Sequence, residues 1–154
     1  MPNYRKHLIG GCATYAILIC VNAKYNLIKI ESIVQLQTLA ACLIGSLFPD
    51  VDTKSKIQKL IYLVILIAAT HLLITGQQFW AAITLMISLI PLISNHRGLF
   101  HRLWFIGICM VLVNFFCYIN QPSAFKSCIT LSIFFMSGTI SHIWLDLGWR
   151  RLWK

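Results

Sequence analysis

Charge is what this chain has least of. Only 11% of its 154 residues are Asp, Glu, Lys or Arg, against about 25% in an ordinary soluble domain. Hydrophobic residues make up 58%, and the mean hydropathy is +0.77. So few charges cannot cover that much apolar surface in water, which excludes a water-soluble globule and implies an integral membrane protein. There is no Gly/Ser linker, low-complexity tract or internal repeat, so residues 1–154 read as a single integral membrane domain. The six cysteines form no C-x-x-C pair. That excludes a zinc knuckle or disulfide framework and leaves cysteine as a small hydrophobe. No basic helix with interleaved aromatics is present, so the net charge of +9 does not point to nucleic acid. No nucleophile-elbow motif is found either.

What is present is a series of six apolar segments, at about 8–23, 33–48, 60–76, 79–94, 103–119 and 124–148. An open sheet edge cannot face hydrocarbon, so the spans are expected to be helices. The expected fold is all-α, a polytopic bundle of about six transmembrane helices. The basic residues orient it. Arg5, Lys6, Lys54, Lys56, Lys59, Arg97, Arg102, Arg150, Arg151 and Lys154 fall on one side of a six-span chain, and Lys24, Lys29 and Lys126 on the other. Ten against three places both termini in the cytoplasm. The first segment has a competing reading, since Tyr4-Arg5-Lys6, an apolar run and Val21-Asn22-Ala23 also resemble a signal peptide with its cleavage site. Cleavage would remove His7.

The chain's four carboxylates are Glu31, Asp50, Asp52 and Asp146, and its five histidines are His7, His71, His96, His101 and His142. On the six-span map, all but Glu31 and His71 fall on the cytoplasmic side, although no acid or histidine was used to orient the chain. Ser141-His142-Ile143-Trp144-Leu145-Asp146 places His142 and Asp146 one helical turn apart on one face, where both can ligate one metal or the acid can orient the imidazole. Ionisable groups in so apolar a helix are costly, which favours function over a bland helix-end pair. Pro49-Asp50-Val51-Asp52 sets two carboxylates just past a proline-terminated helix, suited to a cation or to an Asx-type turn. In His96-Arg97-Gly98-Leu99-Phe100-His101, two imidazoles flank an arginine fork suited to phosphate or carboxylate, and Gly98 lets backbone come close to a ligand. His7 alone reads as an interfacial residue and gains weight only from lying on the same side. Imidazole mixed with carboxylate favours zinc, iron or manganese over calcium. The lack of cysteine in the set argues against a closed structural zinc site.

Taken together, His7, Gly45 upstream of Pro49-Asp50-Val51-Asp52, His96-Arg97-Gly98-Leu99-Phe100-His101, and His142 with Asp146 resemble the YdjM-like family. Its members are LexA-regulated, inner-membrane-associated proteins classed by inference as metal-dependent hydrolases. The resemblance runs through most of the chain and rests chiefly on His-Arg-Gly-x-x-His. One departure is Phe100-His101-Arg102, where the family often has Thr-His-Ser. The resemblance implies a membrane-embedded metal site and a hydrolytic reaction. The site chemistry is also broadly like that of zinc-dependent phospholipases C, by analogy alone.

The expected function is a metal-dependent hydrolase of the inner (cytoplasmic) membrane, acting on a lipid-linked or membrane-proximal ester, above all a phosphoester. Its metal ligands are drawn from His7, Asp50, Asp52, His96, His101, His142 and Asp146. They hold one or two divalent ions, zinc before manganese or iron. Arg97 is expected to hold the anionic part of the substrate, and Asp50 or Asp52 to act as general base. The partner is a membrane lipid or lipid-linked substrate. The alternative is a non-catalytic metal-binding membrane protein serving transport, sensing or scaffolding. Transport needs polar groups near mid-membrane, and Gln35, Gln37, His71 and Asn114 form no obvious path.

Overall fold

Each apolar segment of the sequence is an α-helix. A computed structural model describes residues 4–26, 32–52, 56–93 and 99–148. Among them are α1 (Tyr4–Tyr25), α2 (Ser32–Leu47), α3 (Lys56–Ile74), α4 (Gln78–Ile93), α5 (Leu103–Asn120) and α6 (Phe125–Leu147), and no strand. Short 3-10 turns occupy Phe48–Asp52, Leu99–His101 and Pro122–Ala124. Five stretches are long and apolar enough to cross a bilayer: Tyr4–Tyr25, Ile33–Val51, Ile57–Ile74, Leu103–Asn120 and Pro122–Asp146. Helix α4 is equally apolar but has 16 residues. At 1.5 Å per residue it rises about 24 Å, short of the roughly 30 Å hydrocarbon core.

The chain divides into two compact units, one of Met1–Pro49 with His101–Lys154 and the other of Asp50–Phe100. In the first, α6 packs on α1, α2 and α5, and its tightest partner is α2. Lipid tails are as apolar as leucine, so helices in a membrane associate through close backbone approach and polar contacts rather than by escape from water. Glycine provides the approach here. A Cβ on Gly45 would fall deep inside the carbonyl of Phe135, and one on Gly138 inside the carbonyl of Cys42. Hydrogen bonds follow that proximity: Thr139 Oγ1 donates to the Gly45 carbonyl at 3.2 Å and Cys42 Sγ to the Gly11 carbonyl at 3.4 Å. Gly11 repeats the device between α1 and α2, since a Cβ there would meet Ser46 Oγ at 2.6 Å. Asn114 Nδ2 ties α5 to Ser132 Oγ of α6 at 2.9 Å. Much of the outer surface is aliphatic and aromatic and lies open, including Ile9, Leu36, Val111 and Phe115 at 61–68% exposure. In a bilayer that is the lipid-facing surface.

The second unit is a helical hairpin. Helix α3 ends in a Schellman turn, with Gly76 N–H donating to Leu73 at 3.1 Å and Gln77 N–H to Leu72 at 2.8 Å. Gly76 takes φ +75, a left-handed conformation that glycine adopts without a Cβ penalty. Ala69 and Ala81 are buried on the hairpin, and Tyr62 Oη donates to the Ser88 carbonyl at 2.6 Å. Pro91 stands inside the last turn of α4, where its missing N–H leaves the Ile87 carbonyl without a helical donor.

Candidate metal centre

The site is built at one end of the first unit. His7 is in the first turn of α1, Ser46 is next to the last residue of α2, His101 closes the turn before α5, and His142 and Asp146 lie in the last turns of α6. An antiparallel run of spans returns to the same end at each of these places. His7, His101 and His142 are 1%, 6% and 0% exposed. The Asp146 side chain is 4% exposed although its backbone gives the residue some surface.

Asp146 is the hub. Its Oδ1 stands 3.4 Å from His7 Nε2, and its Oδ2 stands 3.7 Å from both His101 Nε2 and His142 Nε2. His101, His142 and Asp146 each offer a ligand atom within 4.8 Å of the others. The rings of His7 and His142 stack with centroids 3.9 Å apart and planes at 18°, so their Nε2 edges address the same carboxylate.

One hydrogen bond sets the chemistry of His142. Its Nδ1 lies 2.7 Å from the Ser46 carbonyl oxygen. A carbonyl only accepts, so Nδ1 carries the proton and Nε2 presents its lone pair towards Asp146. That carbonyl is available because Ser46 lies one residue from the end of α2, among the last carbonyls of the helix, which have no further α-helical turn to donate to them. The turn at His101 works differently. Arg102 takes an extended conformation, φ −102 and ψ 114, and is exposed while His101 before it is buried.

These residues fit a metal ion. The three nitrogen–oxygen separations exceed the 2.7–3.2 Å usual for a hydrogen bond. Two ligands on one tetrahedral zinc, each about 2.0–2.1 Å from the ion, stand about 3.3 Å apart, close to the values here. Asp146 Oδ1 is buried and accepts no hydrogen bond from any described residue. A buried carboxylate left so is expensive, and a cation removes the penalty. Imidazole nitrogen and carboxylate oxygen are donors that zinc, iron and manganese accept.

Of the residues expected from sequence, His7, His101, His142 and Asp146 therefore meet. Asp50 is half-buried in the Phe48–Asp52 turn, one residue past the buried Pro49, and opens the second unit. Asp52 ends the same turn, and its side chain lies outside the described residues, as do His96 and Arg97. His71 is exposed on α3, and Glu31 is outside the described residues. Sequence reasoning missed the Ser46 carbonyl and the crossing at Gly45 and Gly138. Small residues within apolar helices were the available signal.

The family model described as YdjM inner membrane protein matches residues 1–151, the family that the motifs resemble. No curated protein and no solved structure matches the chain.

Proposed function

The chain belongs to the YdjM inner membrane protein family, and from that premise we propose that it is a metal-dependent hydrolase acting on a lipid-linked or membrane-proximal phosphoester. It is a multi-pass protein of the inner membrane. What carries the reading is the convergence of three buried imidazoles on one buried carboxylate, with His142 held as the Nδ1–H tautomer by Ser46. A closed structural zinc site is normally built with cysteine, whereas a site of histidine and carboxylate keeps a position for water or substrate.

His101, His142 and Asp146 would hold the ion, with His7 beside the second carboxylate oxygen. Asp50, Asp52 and His96 are the further donors that the sequence offers for a second ion. The ion, when bound, supplies Lewis-acid activation of water and of the ester. The chain's own groups do the rest. Ser46 orients His142, the apolar walls of α1, α2 and α6 exclude bulk water, Asp50 or Asp52 takes the proton of the attacking water, and Arg97 holds the anionic group of the substrate. Zinc is the preferred ion, ahead of manganese and iron. The excess of Lys and Arg on one side of the six-span chain supports a site at the cytoplasmic face.

The test begins with metal analysis of detergent-purified protein after gentle dialysis. Wild type is expected to retain a transition metal and His101→Ala to lose it. Wild type without metal contradicts the reading. A panel of phospholipids and lipid-linked phosphates then separates enzyme from binder. Product release that stops with chelator and with His142→Ala marks catalysis, and bound metal without turnover assigns a binding role. For topology, a reporter fused after Lys154 is expected to report the cytoplasm. An exported C-terminus removes the cytoplasmic placement.

A further inference from the structure

Beside the metal centre the first unit has a second opening. A cleft of about 210 Å³ runs between α1 and α6, walled by Thr14, Ile17 and Leu18 on one side and Ile140 and Trp144 on the other, with Ser141 in its lining. Both helices are membrane spans, and Ile17, Ile140 and Trp144 are open at the surface. The mouth of the cleft therefore meets lipid tails, not water. Its volume is below the roughly 300 Å³ at which drug-sized sites begin, so it takes one chain rather than a whole two-chain lipid.

Ser141 distinguishes this cleft from an ordinary seam between helices. The residue is 6% exposed, and its Oγ makes no hydrogen bond with any described residue. Other hydroxyls of α6 behave differently: Ser137 Oγ donates to the Ile133 carbonyl at 2.8 Å, and Thr139 Oγ1 to the Phe135 carbonyl at 3.1 Å. That back-bond is the usual outlet for a hydroxyl in an apolar helix, and Ser141 does not take it. On the facing helix stands Gly10, where a Cβ would lie 2.7 Å from Leu145 Cδ1 and 3.5 Å from Ser141 Oγ. The absent side chain makes room there for Leu145, beside a hydroxyl that is itself buried. The residue after Ser141 is His142, so the hydroxyl and the metal centre are neighbours in the chain.

We propose that the α1–α6 cleft seats the hydrocarbon chain of a membrane phosphoester and that Ser141 Oγ–H donates a hydrogen bond to an oxygen of the same molecule's headgroup. This rests on the hydrolytic reading above and gives it a substrate class: an amphiphile that enters sideways from the bilayer, one chain in the protein and its ester at the metal centre. Ser141 is a binding residue. The cleft sets chain-length preference.

The full chain in phosphatidylcholine nanodiscs, as wild type, Ser141→Ala and Ile17→Trp, tests this. Ser141→Ala removes one oxygen and little volume, and Ile17 is 64% exposed, so both variants are expected to fold. The probe is a long-chain alkyl phosphate with a photoactivatable diazirine in its chain. Label is expected in peptides around Ile17 and Ile140, about 10-fold less in Ile17→Trp, and about 3- to 10-fold less in Ser141→Ala, the scale of one lost hydrogen bond. Two 4-nitrophenyl phosphodiesters, one with a long alkyl group and one with ethyl, give the kinetic readout. Ile17→Trp lowers kcat/KM for the long ester alone, and Ser141→Ala lowers it for both. Label spread over every lipid-facing helix and unmoved by both variants overturns the cleft. So does an unchanged long ester in Ile17→Trp, and in that case hydrolysis itself stands. Specific label with no turnover of either ester supports the cleft and overturns the hydrolytic reading.

Discussion

Asp146→Ala is expected to strip the protein of its metal. Both oxygens of this carboxylate are in use: Oδ1 faces His7 Nε2, and Oδ2 faces His101 Nε2 and His142 Nε2. Removing it takes from the cluster its buried negative charge and the atom on which three imidazoles converge. Loss of an outer partner of a ligand costs about 10–100-fold in metal affinity, and loss of the hub should exceed that. Asp146→Asn, which keeps the shape and removes the charge, is expected to fall nearly as far. Titration with zinc in the presence of a competing chelator measures both. His71→Ala is the control, because His71 is exposed on α3 in the other unit. If Asp146→Ala and His71→Ala bind zinc alike, Asp146 is no ligand.

The second large effect belongs to glycine. In Gly138→Ala the new methyl would lie inside the carbonyl of Cys42, and in Gly45→Ala inside that of Phe135. A backbone carbonyl cannot swing aside as a side chain does, so α2 and α6 must move apart. Ordinary overpacking costs about 1–3 kcal/mol, and this case is expected at or above the roughly 4 kcal/mol that marks exceptional substitutions. The same separation draws the Ser46 carbonyl away from His142 Nδ1, so metal affinity falls along with stability. Gly107 in α5 provides the contrast. Nothing lies within 4 Å of a Cβ there, and Gly107→Ala is expected to stabilise its helix by about 0.5–1 kcal/mol. Thermal unfolding in detergent, followed by circular dichroism, separates the three variants. Equal midpoints for Gly138→Ala and Gly107→Ala would show that the α2–α6 crossing is looser than described.

The helices were legible in the chain because lipid leaves the backbone little choice. A run of apolar residues must satisfy its own N–H and C=O groups, and the helix does so locally. The segments near 33–48 and 103–119 match α2 and α5 to within a residue or so. Helix α1 begins at Tyr4, several residues before its apolar run, because Arg5 and Lys6 are exposed and charge does not oppose helix at a membrane edge. Half of the site was legible for a similar reason. His142 and Asp146 are one turn apart on a helix, and alternation of spans brings His7 and His101 to the same end.

The sequence by itself determined which segments are helices apolar enough for lipid, at which end of the first unit His7, His101, His142 and Asp146 gather, and which family the chain resembles. Periodicity and hydropathy are properties of consecutive residues, so they can be read without coordinates. Only the tertiary structure decided that Asp146 is the centre of the cluster, that Ser46 selects the tautomer of His142, that Gly45 and Gly138 bring α2 and α6 close enough for it, and that Ser141 lines a cleft between α1 and α6. Each of these is a contact between helices far apart in the chain. Such contacts depend on rotation and spacing about helix axes, which side-chain packing sets and no local pattern encodes.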